Sequence, residues 1–160
     1  MTIHFICTGN TFRSRLAEAY FKSKVKDRFN VFSSGVEADK YLNGSICWYT
    51  QRIIQKNNLI PHVSLMWQQT TEELLKKGDI TIFMRNEHLQ FCRKNLNYLS
   101  DKFEVWDVKD LIELTDELNR DGLLKDIWNM EEADKIFVDI KKKTDNLIKN
   151  LNNTKYKITK

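Results

Sequence analysis

Between residues 7 and 13 the chain reads CTGNTFR, a cysteine and an arginine separated by five positions, with Ser14 directly after. A cysteine can act as a nucleophile once its sulfur carries negative charge, and an arginine offers a planar fork that matches phosphate oxygens. Gly9 permits backbone angles that other residues resist, and Asn10 tolerates left-handed geometry better than most. A loop folded this way can turn successive N–H groups inward as an anion nest. If a helix starts at Arg13, its unpaired N–H groups and positive dipole end add to the same field. Ser14 can donate a hydrogen bond to the sulfur. Cys7 with Arg13 thus has the makings of an activated nucleophile facing a phosphate cradle. The GxxxxGK[ST] spacing of a nucleotide-binding loop is missing.

Such a loop works only if a rigid element ends just before it and another begins just after it. IHFIC is an apolar run that reads as a buried strand, and from Arg13 the recurrence of Leu16, Ala19, Tyr20 and Val25 reads as a helix. Further strands are expected at VFSSG (31–35), DITIFM (79–84) and KFEVWDV (102–108). Helices are expected at 46–59, where Pro61 bars extension, at 70–78 and at 86–96. A long amphipathic helix is expected over 131–151, with Ile136, Ile140, Leu147 and Leu151 on one side. Residues 111–130 are expected to be irregular or to form short helices. Strands alternating with helices predict an α/β domain with a parallel sheet and helices on both faces. Residues 1–152 are expected to form that single domain, followed by a polar tail over 153–160. In an open parallel sheet, ligands bind at the carboxyl ends of the strands, which is where Cys7 falls.

The rest of the composition narrows the chemistry. The chain has 160 residues, a net charge of +4 and 41% hydrophobic residues, which fits one globular core. The charge is mild and forms no concentrated basic arm, so nucleic acid is not an expected partner. No apolar run is long enough to cross a membrane, and no signal segment precedes the first strand, so a cytoplasmic location is expected. Cys7, Cys47 and Cys92 are far apart and odd in number, which suits reduced thiols in a reducing compartment. No pair has zinc-site spacing and the three histidines are scattered, so neither a metal nor a cofactor is expected.

ICTGNTFRSRLAEAYF resembles the N-terminal signature of the low-molecular-weight protein tyrosine phosphatases, a C-x-G-N-x-x-R-S loop followed by a helix carrying AEA. VFSSGVEA and VSLMWQQTTEELLKKGDITIFM extend the resemblance over roughly the first 110 residues. It implies a three-layer α/β/α fold of flavodoxin-like type with a central four-stranded parallel sheet. It also implies metal-free hydrolysis of a phosphorylated protein or peptide, and inorganic phosphate or sulfate as an occupant of the loop. In the family mechanism Cys7 attacks phosphorus and forms a phosphocysteine. Backbone N–H groups over Thr8, Gly9, Asn10, Thr11, Phe12 and Arg13, with the Arg13 guanidinium, hold the phosphoryl oxygens, and Ser14 supports the sulfur.

The family places a general acid after the fourth strand, usually in an Asp-Pro pair. VWDVKDL is similar, and Asp110 is the match, with Leu111 where the proline would stand. Asp107 is the alternative, and Asp116 and Asp121 are more distant ones. Other departures are Phe12 at a frequent second cysteine, Arg15 at a frequent proline and Arg85 at a frequent aspartate. The paired aromatics after the acid loop are missing, so Tyr41 or Phe12 is expected to wall the pocket, while Tyr41 and Trp48 could equally be core residues. Cys47 and Cys92 read as buried helix residues rather than redox partners. Phosphotyrosine is the expected substrate. Thr11 stands where an aliphatic residue is usual and resembles the protein-arginine phosphatase branch, which makes phosphoarginine the alternative. A phosphate-binding signalling module without turnover is a third reading. An arsenate reductase is a fourth, and it would need resolving cysteines.

Overall fold

The computed structural model describes residues 1–40, 46–111 and 122–153. In chain order it contains β1 (Thr2–Cys7), α1 (Arg13–Val25), β2 (Asn30–Gly35), α2 (Trp48–Lys56), α3 (Glu72–Lys77), β3 (Ile80–Phe83), α4 (Asn86–Asn95), β4 (Phe103–Val105) and α5 (Gly122–Asn152). The four strands form one sheet in the order β2-β1-β3-β4, and every pairing is parallel. β1 therefore has β2 on one side and β3 on the other, with Cys7 paired to Gly35 and Ile6 to Phe83. This is the switch point of a doubly wound sheet, where the connections leaving neighbouring strands diverge and open a crevice.

Helices cover both faces, as the alternating pattern requires. Ile3 and Phe5 of β1 point into the larger core with Leu16 and Phe21 of α1, Ile53 of α2, and Ile136 and Ile140 of α5. Ile6 points the other way, against Leu75 of α3, Phe83 of β3, and Leu89 and Cys92 of α4. Because β1 is covered on both faces, its sequence from Ile3 to Cys7 is apolar on both faces, with His4 the exception, instead of alternating. Phe5 packs edge-on against Phe21 (5.9 Å) and at a tilt against Trp106 (5.5 Å), which ties the central strand to α1 and to the segment after β4. Thr71 caps α3 by accepting from the Leu74 N–H (3.3 Å). Pro61 sits in a single helical turn past the end of α2.

Two expectations need correction. Residues 111–130 were expected to be irregular or to form short helices, but from Gly122 onward they belong to α5. The beginning of α5 is held by polar contacts that apolar periodicity does not register. Tyr49 Oη donates to Asp126 (3.0 Å), Asn129 Nδ2 donates to Tyr49 Oη (3.0 Å), and Arg52 donates to Asp134 (2.7 Å). The strand expected over 102–108 is regular only at Phe103–Val105. Trp106 and Val108 still donate to Phe83 O and Met84 O, yet Asp107 adopts a φ of 50° and breaks the alternation.

Near the middle of β1 a histidine is fully buried. His4 lies 2.7 Å from Ser34 Oγ and stacks on Phe32, and burial pushes its pKa from 6.5 down to about 3. It is neutral in the folded chain and takes up a proton in the unfolded chain below about pH 6.5. The unfolded state then binds more protons, so stability is full above that pH and falls as the pH drops toward 3. At about pH 5 the expected loss from His4 is about 2 kcal/mol, with His88 adding in the same direction. Denaturant titrations at neutral pH and near pH 5 should show a smaller drop for His4→Asn than for the unmodified chain. Equal drops would contradict this.

Candidate active site

The loop from Cys7 to Arg13 leaves the carboxyl end of β1 and enters α1 with no side chain capping its first turn. Asn10 makes the bend at a φ of 54°, and its side chain then organises the surroundings. The Gln68 backbone N–H donates to Asn10 Oδ1 (2.9 Å), which fixes the orientation of the amide. Nδ2 therefore donates twice, to Ser14 Oγ (2.9 Å) and to Ser33 Oγ (2.7 Å). Ser33 donates its own hydrogen bond to the buried Glu18 carboxylate. Ser14 accepts from Asn10 and keeps its own proton; toward the thiolate form of Cys7, which has no proton to give, it is the donor at 3.0 Å.

Arg13 is almost fully buried. Its Nη1 donates to Val108 O (3.2 Å), while Nη2 donates to Thr8 Oγ1 (3.1 Å) and pairs with the Asp110 carboxylate. The Leu111 N–H donates to the other Asp110 oxygen (2.8 Å). Asp107 points elsewhere. Its side chain is 86% exposed and lies 4.0 Å from Arg85, whereas that of Asp110 is 22% exposed. Arg15, at the second frequent proline position of the resemblance, is buried and donates from Nε to Asn10 O (2.9 Å), bracing the loop from behind. Burial lowers the pKa of this guanidinium, and the charges of Glu18 and Cys7 oppose the shift.

A cleft of about 210 Å³ opens over the sulfur, lined by Cys7, Gly9, Thr11, Phe12, Arg13, Cys47, Tyr49, Asp110 and Leu111. The structure thus brings Cys7, Gly9, Thr11, Phe12, Arg13 and Asp110 to one cavity and places Asn10 and Ser14 directly behind it. Tyr41, Asp116 and Asp121 lie outside the described residues. Trp48 is not core: it is 45% exposed and packs against Tyr49 at 4.0 Å.

Tyr49, Cys47 and Leu111 are wall residues that sequence reasoning missed. Cys47, expected inside a helix, is instead the residue before α2. Its N–H donates to Thr11 O (3.3 Å), and burial pushes its thiol pKa up. Cys92 is buried in α4, and burial pushes its thiol up to about 12. Among the described residues, no group of three or more His, Cys, Asp or Glu side chains is placed to hold a metal ion.

A sulfur at the mouth of a parallel-sheet crevice, with a guanidinium and a carboxyl group above it, is the apparatus of a cysteine-based phosphatase. The chain belongs to the low molecular weight phosphotyrosine protein phosphatase family, whose model matches residues 2–157. It is 34% identical over 116 residues to the protein-arginine-phosphatase of Bacillus subtilis (strain 168), covering 70% of this chain and 73% of that protein. An arsenate reductase of Bacillus cereus (strain G9842) is 54% identical over only 37 residues, 23% of this chain and 28% of that protein. The fold matches a low molecular weight protein tyrosine phosphatase from Streptococcus pyogenes with a TM-score of 0.74 at 19% identity, over 94% of this chain and 92% of that one.

The loop passes so close to Gly35 that a Cβ there would lie 2.4 Å from Thr8 O and 2.7 Å from Asn10 N. Both neighbours are backbone, so the loop itself would have to move. Gly35→Ala should lower turnover by about a hundredfold through misplacement of the reacting groups. Steady-state kinetics of the folded variant check this, and an unchanged rate would show that the loop is not held where it is described.

Proposed function

We propose that this phosphatase removes phosphate from phosphotyrosine on proteins, with Cys7 as nucleophile and Asp110 as general acid. The observation that carries the substrate reading is the wall of the cleft. Phe12, Tyr49 and Leu111 surround the approach to Cys7, a mostly apolar collar suited to a phenyl ring. The Cys7 sulfur attacks phosphorus in line with the P–O bond, forming an S–P bond as the phenolic oxygen leaves. Arg13 and the N–H groups of the loop and first turn of α1 hold the phosphoryl oxygens, where the charge of the transition state is spread. The Ser14 hydroxyl supports the sulfur when it departs again in the second step.

Asp110 protonates the leaving oxygen and then takes a proton from the water that attacks the phosphocysteine. Without substrate its carboxylate is paired to Arg13. A phosphoryl dianion gives Arg13 a second anionic partner and loosens that pair, so Asp110 takes up a proton from solvent and turns toward the leaving group as the acid. Each half of the reaction balances: one S–P bond forms and one P–O bond breaks, then the reverse with water.

A second reading is hydrolysis of phosphoarginine. Two observations favour it: Thr11 lines the cleft, and the protein-arginine-phosphatase is a relative of substantial coverage. A threonine offers a polar edge to a guanidinium and less apolar area to a ring. Matched phosphotyrosine and phosphoarginine peptides, assayed side by side, separate the two; faster release from phosphoarginine would overturn the main reading. Asp110→Asn should slow the first phosphoryl transfer from the preferred peptide by about 10²- to 10⁴-fold while barely slowing the first-turnover release of nitrophenol from a nitrophenyl phosphate, whose leaving group needs little protonation. Equal effects on both would move the acid elsewhere.

A further inference from the structure

Thr8 follows the nucleophile, and its hydroxyl oxygen has two neighbours. Arg13 Nη2 donates to it at 3.1 Å, and His88 Nε2, from α4, lies 3.0 Å away. The tautomer of His88 follows from its other nitrogen. The Arg85 backbone N–H, at the start of α4, donates to His88 Nδ1 (3.1 Å), so Nδ1 is an acceptor and Nε2 carries the proton. Burial, first, and then the charges of Arg13 and Arg85 push the His88 pKa to about 3, so the ring is neutral at working pH.

Both lone pairs of the Thr8 hydroxyl are therefore occupied by donors. Its own proton has no role in holding Arg13 or His88 and can serve only another acceptor. Arg13, for its part, is held by Val108 O on Nη1 and by Thr8 and Asp110 on Nη2; once Asp110 turns to the leaving group, the plane of the fork depends on where Thr8 is held. Nothing else among the described contacts fixes the Thr8 side chain.

We propose that His88 is a positioning residue: by donating to Thr8 it fixes the plane of the Arg13 guanidinium and commits the Thr8 hydroxyl to donate to the bound anion. This rests on Cys7 and Arg13 forming the phosphoryl site. His88 touches neither substrate nor sulfur and acts through Thr8. The fold places the contact across the crevice, since Thr8 follows β1 and His88 follows β3.

Two substitutions separate this role from the capping of α4. His88→Asn keeps an oxygen near the place of Nδ1, so it can still accept from Arg85, but it is too short to reach Thr8. His88→Gln reaches the place of Nε2 and can donate to Thr8. The expected result is that His88→Asn lowers kcat about tenfold with little change in KM and weakens vanadate binding by a similar factor. His88→Gln should recover most of both. Thr8→Val, which removes the hydroxyl itself, should lose at least as much as His88→Asn, and the double variant Thr8→Val with His88→Asn should be no worse than Thr8→Val alone. Vanadate affinity needs no turnover, so it reads the Thr8–Arg13 contact even if the substrate assignment fails. Wild-type kcat and vanadate affinity in a folded His88→Asn protein, or additive losses in the double variant, would overturn the proposal.

Discussion

The side-chain amide of Asn10 is the contact on which the site depends. It sits at the one non-glycine residue of the loop with a positive φ, and its oxygen is claimed by the Gln68 N–H, so both amide hydrogens must face inward. From that single orientation follow the donation to Ser33, the donation to Ser14 and the Ser14 hydrogen bond to sulfur. A buried polar group left without its partner costs about 1–3 kcal/mol, and this amide serves three at once. Turning it over would set its NH₂ against the Gln68 N–H and its oxygen between two hydroxyls. The loop therefore has one low-energy arrangement, and in it the Ser14 proton is free to serve the Cys7 thiolate.

The sheet order explains why such a network can be assembled from distant parts of the chain. β1 lies between β2 and β3, so the loop after Cys7 is flanked by Gly35 on one side and by the start of α4 on the other. Ser33 reaches Asn10 from β2, and His88 reaches Thr8 from α4. Val108 and Asp110 reach Arg13 from the segment after β4. Four separate connections meet at the carboxyl edge of one strand. The helix that continues the loop is correspondingly unusual, because Arg13, Ser14, Arg15 and Glu18 are all buried on it. Their charges and hydroxyls are turned toward the loop instead of toward water, and Glu18 is held by Ser33, Ser64 and Lys22.

Much of this was legible in the sequence because it is local. C-x5-R with glycine, asparagine and serine between an apolar run and a helical pattern marks a strand, a loop and a helix start, and all three are where they were expected. Asp110 was picked out by the likeness of VWDVKDL to the family's acid loop; the structure pairs it with Arg13 while Asp107 faces outward. Contacts between elements distant in the chain were not legible. Tyr49 walls the cleft because its hydroxyl is fixed by Asp126 and Asn129, nearly eighty residues away, and neither has an apolar signature. The first turns of α5 were misread for the same reason. His88 looked like one of three scattered histidines, and only its place at the opening of α4, facing Thr8, gives it a role.

The central claim is that Cys7 carries the phosphoryl group between two half-reactions. The most direct test is rapid quench of the Asp110→Asn protein after mixing with a nitrophenyl phosphate, whose leaving group needs little protonation, followed by mass spectrometry of the digested chain. The account predicts a phosphoryl adduct on the peptide containing Cys7, appearing in an early burst and decaying slowly because the acid that assists water is gone. Turnover with no adduct at any time, or an adduct on a peptide that does not contain Cys7, would contradict it.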